Sequence, residues 1–221
     1  MKQIPWLLPA LWLASCASHQ NVPDLALNEK IYAPIAYETR APGDRAVFVA
    51  PTRDARNPAS YPASSNGFPI SYEGDRRWYR PVPEMVDAVL LEELEESELF
   101  TAIKTTASPQ DVVVQPTLIT FVTGVMEQEY GARSIAEVGI RIEVLGPVGG
   151  DGTRPVLFDQ VYGERQVSNP DRLPPSTYLL TGMCMRTTMQ RMLAGLDGSN
   201  VGRSALSPTS LPAAPAPAPA K

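Results

Sequence analysis

Apolar and polar residues alternate most regularly between residues 137 and 144, which makes this stretch the clearest strand signal in the chain. Four β-branched residues alternate there with polar or small ones: Val138, Ile140, Ile142 and Val144. This period of two puts one face of the strand in a core and the other in water. The runs 111–126 and 156–166 flank it and are rich in β-prone residues. Together they predict an antiparallel meander of three long strands.

Two shorter runs add strands on the N-terminal side. Residues 46–50 form a β-prone apolar run that Pro51 ends, which suits a buried central strand. Residues 99–104 predict another strand. Pro116 lies inside the run 111–126, and because proline cannot donate to a strand ladder, it predicts an edge strand or a bulge there.

Two segments have the spacing of helices. Pro83 suits a first turn, and apolar residues then recur at helical spacing as far as about Ser97. A final helix begins with Ser176 or Thr177 as its cap and runs to about Ala194. Its methionine-rich stripe indicates core packing rather than an adaptable surface for lipid or partners. The stripe comprises Tyr178, Gly182, Met185, Met189, Met192 and Leu196.

The order strand, helix, four strands, helix predicts an α+β fold. We expect a mainly antiparallel sheet of about four to five strands with two helices packed on one face. The chain has 23 prolines, and they cluster in three places that mark a tether, a long loop and a tail. The predicted boundaries are a flexible tether over 16–43, a single domain over 44–198 with a long loop over 52–82, and a Pro/Ala-rich disordered tail over 199–221.

The first sixteen residues carry a signal for membrane attachment. Lys2 precedes an apolar run over 4–13, which has the length of a signal-peptide core and is too short for a permanent span of roughly 20 residues. The small residues Ala14 and Ser15 before Cys16 resemble the bacterial lipobox. That resemblance implies a lipoprotein signal peptide over 1–15 and a mature chain anchored to a membrane through acylated Cys16.

Composition narrows the chemistry that the chain can perform. The net charge of -5 makes nucleic acid a poor partner. The only histidine, His19, lies three residues after Cys16, which argues against His-dependent catalysis and ordinary zinc sites. Phosphate-binding and nucleophile-elbow glycine motifs are absent from the sequence. We therefore predict a protein that is not an enzyme and that has neither a metal site nor a cofactor.

Aromatic residues and arginines alternate along the predicted loop 52–82. A connection of about thirty residues is far longer than usual, and such loops are commonly functional. Because tyrosine, tryptophan and arginine dominate binding hot spots, one interpretation is a partner-docking surface centred on Trp78 and Arg77. The other is an Ω-loop whose aromatics fold back onto their own domain. The candidate partner-binding residues are Arg53, Arg56, Tyr72, Arg76, Arg77, Trp78 and Tyr79.

The element order behind the lipobox resembles small envelope lipoproteins that are auxiliary components of ABC-type transport systems. It is also similar to the lipopolysaccharide-assembly partner lipoproteins of the outer membrane. Residues 45–51, then Asp54-Ala55-Arg56 and a helix followed by Glu98-Leu99-Phe100, look like the first half of the domain shared by curli-secretion and peptidoglycan-synthase-activating lipoproteins. The resemblance covers about residues 45–195 and lies in element order.

This resemblance implies a non-catalytic accessory protein that binds and positions another envelope component, in a transport or lipid-trafficking system. Ala17, with no aspartate at that position, fits retention at the periplasmic face of the outer membrane. The expected partners are the membrane, through Cys16, and an envelope protein. The alternatives are an activator of a peptidoglycan synthase, a secretion-pore component, or a small carrier with a lipid ligand between the methionine-rich helix and the sheet.

Overall fold

The computed structural model describes residues 23–129, 131–169 and 176–204, which form two α-helices and one sheet of eight strands. The helices are α1 (Val82–Glu96) and α2 (Thr177–Ser199). The strands are β1 (Ala46–Val49), β2 (Arg53–Asp54), β3 (Ser64–Ser65), β4 (Phe68–Glu73), β5 (Ala102–Lys104), β6 (Val112–Gln128), β7 (Gly131–Leu145) and β8 (Val156–Val167). The α+β class is confirmed.

Strand β6 is the axis of the sheet. One side of it pairs with β7 in antiparallel register along its length, and β8 pairs with β7 in the same way. Three short strands share the other side: β1 and β2 are parallel to β6, and β4 is antiparallel to it. Strand β5 extends the sheet beside β1, and β3 extends it beside β4.

The prediction of four to five mainly antiparallel strands is therefore an underestimate, and the sheet is mixed. The chain between β1 and β6 contains α1. A connection of that length allows the chain to return in the same direction, so that β5 and β6 lie parallel to β1. A meander of hairpins does not permit such pairing. The strands β2, β3 and β4 come from the segment predicted as a long loop.

Pro116 lies in an interior strand, so the edge-strand half of its prediction is wrong. The β6–β7 ladder does have an irregularity nearby, between Leu118 and Thr120. Val114 and Leu118 turn their carbonyl oxygens away from β7, where they accept from Ala50 and Ala55. By alternation the backbone of Pro116 faces the same side, at the gap between the end of β1 and the start of β2. The missing N–H of Pro116 therefore costs no hydrogen bond of the β6–β7 ladder.

The main core lies between the two helices and one face of the sheet, the helix face. The inward side chains of β7 are almost fully buried there, as are Met185, Met189 and Met192 of α2. The prediction that the methionine stripe packs in the core is confirmed. The opposite face, the open face, carries a smaller buried cluster of Ile70, Met126 and Ile135.

Helix α2 begins where the sequence predicts and ends later. The Ser176 side chain accepts a hydrogen bond from the Leu179 amide at 3.2 Å, so it is the cap. The helix continues through Gly195 to Ser199, and Asn200 ends it in the left-handed conformation with φ of 59°. Gly195 serves packing rather than termination, because a Cβ there would lie 1.9 Å from the Tyr162 hydroxyl. Within the described residues, no helix has the length and hydropathy needed to cross a membrane.

Residues 23–43 form a segment, the strap, that packs against both helices. Leu25 and Tyr32 are buried in the main core. The Ile31 carbonyl approaches α2 so closely that a Cβ on Gly182 would lie 1.7 Å from its oxygen. The strap thus differs from the flexible tether predicted over 16–43, of which residues 16–22 lie outside the described part of the chain.

Candidate functional site

The segment from residue 52 to residue 82 is folded back against the sheet and α1. Asn66 and Gly67 join β3 to β4 with φ angles of 52° and 83°, as a tight two-residue hairpin requires. Thr52 donates from its amide, at 2.8 Å, and from its hydroxyl to Asp87 Oδ1 of α1. The structure favours the interpretation of an Ω-loop that folds back onto its own domain, because the backbone of this segment packs against the sheet and α1.

Arg56 is the charged centre of this segment. Its guanidinium donates to both carboxylate oxygens of Asp54, at 2.9 and 2.7 Å, and to both of Asp75, at 2.9 and 2.7 Å. Only 8% of the Arg56 side chain is exposed. The hydrogen bonds from Arg56 lower the pKa of Asp54, and the bond to Asp54 raises the pKa of Arg56. Arg56 therefore ties β2 to the turn before Trp78 and leaves little of its donor capacity for a partner.

Two cavities of about 290 Å³ each share Tyr61, Tyr72 and Val122 in their walls, and together they are called the tyrosine groove. The rings of Tyr61 and Tyr72 are 5.5 Å apart at 56°. The Tyr72 hydroxyl donates to the Pro62 carbonyl at 2.6 Å. Tyr72 is thus a fixed wall of this groove, not a protruding anchor.

Trp78 is buried, with 6% of its surface exposed. Its ring meets Phe121 at 5.5 Å and Tyr178 at 5.1 Å, both in edge-on geometry. The prediction that Trp78 lies at the centre of a docking surface is therefore wrong. A large aromatic ring removes much apolar surface from water when it is buried, which stabilises the fold. The turn over Asp75–Arg77 places Trp78 between β6 and the start of α2.

The neighbours of Trp78 stay on the surface, and Arg76, Arg77 and Tyr79 form a set, the 76–79 rim. Tyr79 is 64% exposed, while its amide donates to the Pro23 carbonyl at 2.9 Å. The Arg77 side chain is 65% exposed and lies 3.9 Å from the Glu73 carboxylate. The structure therefore leaves three of the seven predicted residues exposed and within four positions of one another in the sequence.

Arg53 is exposed but lies apart from this rim. It lines a cavity of about 140 Å³ on the open face, together with Arg141 and Glu143. Arg141 is itself paired with Asp159 at 2.6 Å. The seven predicted residues thus divide among the rim, the Arg56 clamp, the tyrosine groove, the core and this separate cavity.

Two buried carboxylates that hold the strap were not predicted, and Glu93 of α1 is the first. Its Oε1 accepts from the Tyr32 hydroxyl and from the Ile35 amide at 3.1 Å, whereas its buried Oε2 has no hydrogen-bond partner in the described part. Burial raises the pKa of Glu93, and the two hydrogen bonds oppose that rise. The signal was in the sequence, because Glu93 falls on the same helical stripe as Val89 and Leu90.

Asp197, near the end of α2, is the second. Its side chain is fully buried and accepts from Tyr37, Thr39, the Arg40 amide and Arg203, with the Arg203 bond at 2.6 Å. Burial alone raises the pKa of Asp197, but these hydrogen bonds outweigh it and lower that pKa below its usual value. Position 197 follows Leu196 of the apolar stripe, which was its only sequence signal.

The described residues offer neither a reactive thiol nor a group of side chains that could hold a metal ion. The Cys184 thiol is buried beneath the sheet, where burial raises its pKa to about 12, so it stays protonated at neutral pH. Among the described residues no group of three or more His, Cys, Asp and Glu side chains is arranged to hold a metal ion. Cys16, the predicted lipidation residue, lies outside the described residues.

No protein-family model and no curated protein matches this chain. Solved structures that match this chain include the following two. A Xanthomonas campestris protein of the family DUF330 is 13% identical, with a TM-score of 0.47 over 76% of this chain and 91% of that one. A hypothetical protein from Chlamydia trachomatis is 11% identical, with a TM-score of 0.44 over 71% and 98%.

Proposed function

We propose that this chain is a non-catalytic, lipid-anchored accessory protein of the bacterial envelope. It binds and positions another envelope component of a transport or lipid-trafficking system, as the ABC-transport auxiliary lipoproteins that its sequence resembles are expected to do. The observation that carries the proposal is the 76–79 rim, where an exposed tyrosine stands between arginines on a rigid base.

The base of the rim makes it suitable for binding. Trp78 is locked between two aromatic rings, and the Tyr79 amide is held by Pro23, so the backbone under the exposed side chains is fixed at both points. A rigid tyrosine loses little conformational entropy when a partner covers it. Tyrosine and arginine are also the residues that most often dominate binding energies at protein interfaces.

The rim also lies close to the proposed anchor. Pro23, which contacts Tyr79, is seven residues after Cys16. An extended chain of that length spans at most about 25 Å. A partner bound at the rim would therefore be held near the membrane surface, as a positioning role requires.

The state of the polar groups supports a binding role over catalysis. The carboxylates next to the tyrosine groove are neutralised by Arg56, and the one described thiol is buried and protonated. In the carrier alternative, lipid would lie between α2 and the sheet, but buried methionines already fill that space. We therefore favour a protein partner.

The test is in-cell crosslinking from position 79 followed by identification of the captured envelope protein. We then expect Tyr79→Ala combined with Arg76→Ala to weaken binding of that purified partner by roughly thirtyfold, since a central anchor contributes about 2 kcal/mol. Because both side chains are exposed, the melting temperature should stay within about 1 to 2 °C of the parent.

Arg53→Ala is the matched control, because this arginine is exposed but lies away from the rim. It should leave partner binding unchanged. Full binding by a folded Tyr79→Ala/Arg76→Ala variant would refute the docking role of the rim. Capture of a peptidoglycan synthase or a secretion pore would instead favour the alternatives named for the same compartment.

A further inference from the structure

Exposed aliphatic side chains are concentrated on β8, the last strand of the sheet. Four of its large apolar residues are between 38% and 61% exposed: Val156, Leu157, Val161 and Val167. Strand β8 is twelve residues long and pairs with β7 on one side. In the described part of the chain no strand pairs with its other side.

The backbone of β8 presents a row of hydrogen-bonding groups along this free edge. The Ser168 amide donates to the Ser134 carbonyl at 2.9 Å, so residue 168 points toward the β7 side. Because backbone groups alternate along a strand, the odd-numbered residues from Asp159 to Val167 point outward, among them Val161 and Gly163. A register shift in the β7–β8 ladder interrupts this alternation at Leu157. Consistently, the Gly163 carbonyl accepts from Arg191 of α2 at 3.0 Å.

The usual protections of an edge strand are weak in β8. Between residues 156 and 167 there is no proline and no lysine. Its charged open-face residues are already paired within the chain: Asp159 lies 2.6 Å from Arg141, and Arg165 lies 3.8 Å from Glu137. An unpaired edge of this length that lacks proline and lysine is a template for another strand.

We propose that β8 pairs with β8 of a second copy of this chain, in antiparallel register about a two-fold axis at Tyr162. The two sheets then form one continuous sheet across an isologous interface. This register places opposite charges face to face on the open face. The opposed pairs are Asp159 with Arg165 and Val161 with Gly163.

Neighbouring registers do not have this complementarity. An axis at Val161 sets Asp159 against Gly163, and an axis at Gly163 sets Asp159 against Val167. Each of these places a charge opposite an uncharged residue, which forfeits the favourable cross-strand pair. The sequence of β8 is therefore matched to its own reverse about Tyr162, which a strand from an unrelated partner would not require.

The contact from Arg191 is compatible with this pairing. A carbonyl oxygen has two lone pairs, so Gly163 can accept from Arg191 and from the Val161 amide of the second copy. The Arg191 side chain is also held by Glu164 at 2.8 Å and is 55% exposed, so it can shift without uncovering the core.

Sedimentation of the full chain in mild detergent tests the dimer. We expect a dimer at micromolar concentration, weakened about tenfold or more by Val161→Pro, which removes two symmetry-related edge bonds. The Val161 amide points away from β7, so the proline removes no bond of the β7–β8 ladder. Val161→Lys is the second variant, and Leu27→Lys is its control because Leu27 is 70% exposed but lies in the strap.

Thiol crosslinking with a short reagent tests the register. The double variant Asp159→Cys/Arg165→Cys should crosslink between copies, whereas Asp159→Cys alone should not, because its own copies lie about 20 Å apart in this register. A chain that stays monomeric, a dimer indifferent to both Val161 variants, or efficient crosslinking by the single variant would each overturn the proposal.

Discussion

At the scale of single residues, Glu93 and Asp197 hold the same strap but differ in how many hydrogen bonds their carboxylate oxygens accept. Asp197 accepts from four donors, and these lower its pKa despite burial. Glu93 has donors on one oxygen only, and burial raises its pKa. The two clamps should therefore respond oppositely to pH.

We predict that Glu93→Gln gains stability relative to the parent as pH rises. An acid with a raised folded-state pKa binds more protons when folded, so its contribution to stability falls as pH rises above the ordinary value of 4.5. Glutamine keeps the acceptor for Tyr32 and has no charge to bury. Denaturant unfolding at about pH 4 and about pH 8 measures this difference.

The matched control is Glu95→Gln, because Glu95 is exposed on the same helix. Its stability difference from the parent should change little between the two pH values. If the Glu93→Gln difference were equally constant, Glu93 would have to be ionised without penalty inside the fold.

Asp197→Ala should lower the free energy of unfolding by about 3 kcal/mol at neutral pH. It leaves Arg203 and three donors of the strap without their buried acceptor. The pKa of Asp197 is lowered, so its contribution is present above 3.8 and is lost as pH falls through the folded-state value. The difference from the parent should therefore shrink in acid.

Hydrogen exchange locates this effect. Amides of residues 37–41 should exchange faster in Asp197→Ala, while those of β7 keep their order of protection. Glu38→Ala, exposed in the same stretch, is the control and should leave exchange unchanged. Unchanged protection at 37–41 in the Asp197 variant would show that the strap does not depend on this clamp.

At the scale of elements, the methionine stripe allows a comparison within one helix. Met189 is fully buried and Met183 is 46% exposed. Met189→Ala should cost roughly 2 to 5 kcal/mol as a large-to-small core change. Met183→Ala should stay within about 0.5 kcal/mol of the parent. Chemical denaturation measures the free energy of unfolding of both variants. Equal losses of stability would mean that α2 does not pack against the sheet through Met189.

Long periodic elements were predictable and short or non-local ones were not. Strand β7 and both helices carry their period in the sequence, so their existence follows from local pattern. The hairpin of β3 and β4 carries only the Asn66-Gly67 turn signal, which the aromatic composition around it obscured. The parallel pairing of β1 with β6 joins residues some 65 positions apart, and no local pattern specifies it.

The same limit applied to the candidate site. Composition identifies a segment rich in aromatic residues and arginines. It does not predict which of two adjacent aromatic residues is buried. Trp78 is in the core and Tyr79 is on the rim because the turn over Asp75–Arg77 sets the direction of the chain. Arg56 likewise looked free in the sequence, although two aspartates, one of them nineteen residues away, hold it.

At the scale of the whole molecule, the strap runs along α2 from end to end. Pro23 lies beside Tyr79, Ile31 contacts Gly182, and the Arg40 amide reaches Asp197. The chain therefore enters the domain at the rim, and six residues separate this point from Cys16. If Cys16 carries the lipid, the rim is the end of the domain nearest the membrane.

Cys16→Ser should release the chain from membranes without unfolding the domain. The described contacts that hold the core and the strap are made among residues 23–204, and we expect them to persist in the serine variant. Acyl chains contribute about 0.8 kcal/mol per buried methylene, and two or more of them are needed for stable anchoring. Fractionation with an alkaline wash measures release, and the melting temperature reports the fold. Cys184→Ala, which removes the buried thiol, should stay with the membrane. A serine variant that still pellets and resists the wash would refute the lipid anchor and remove the membrane from the proposed function.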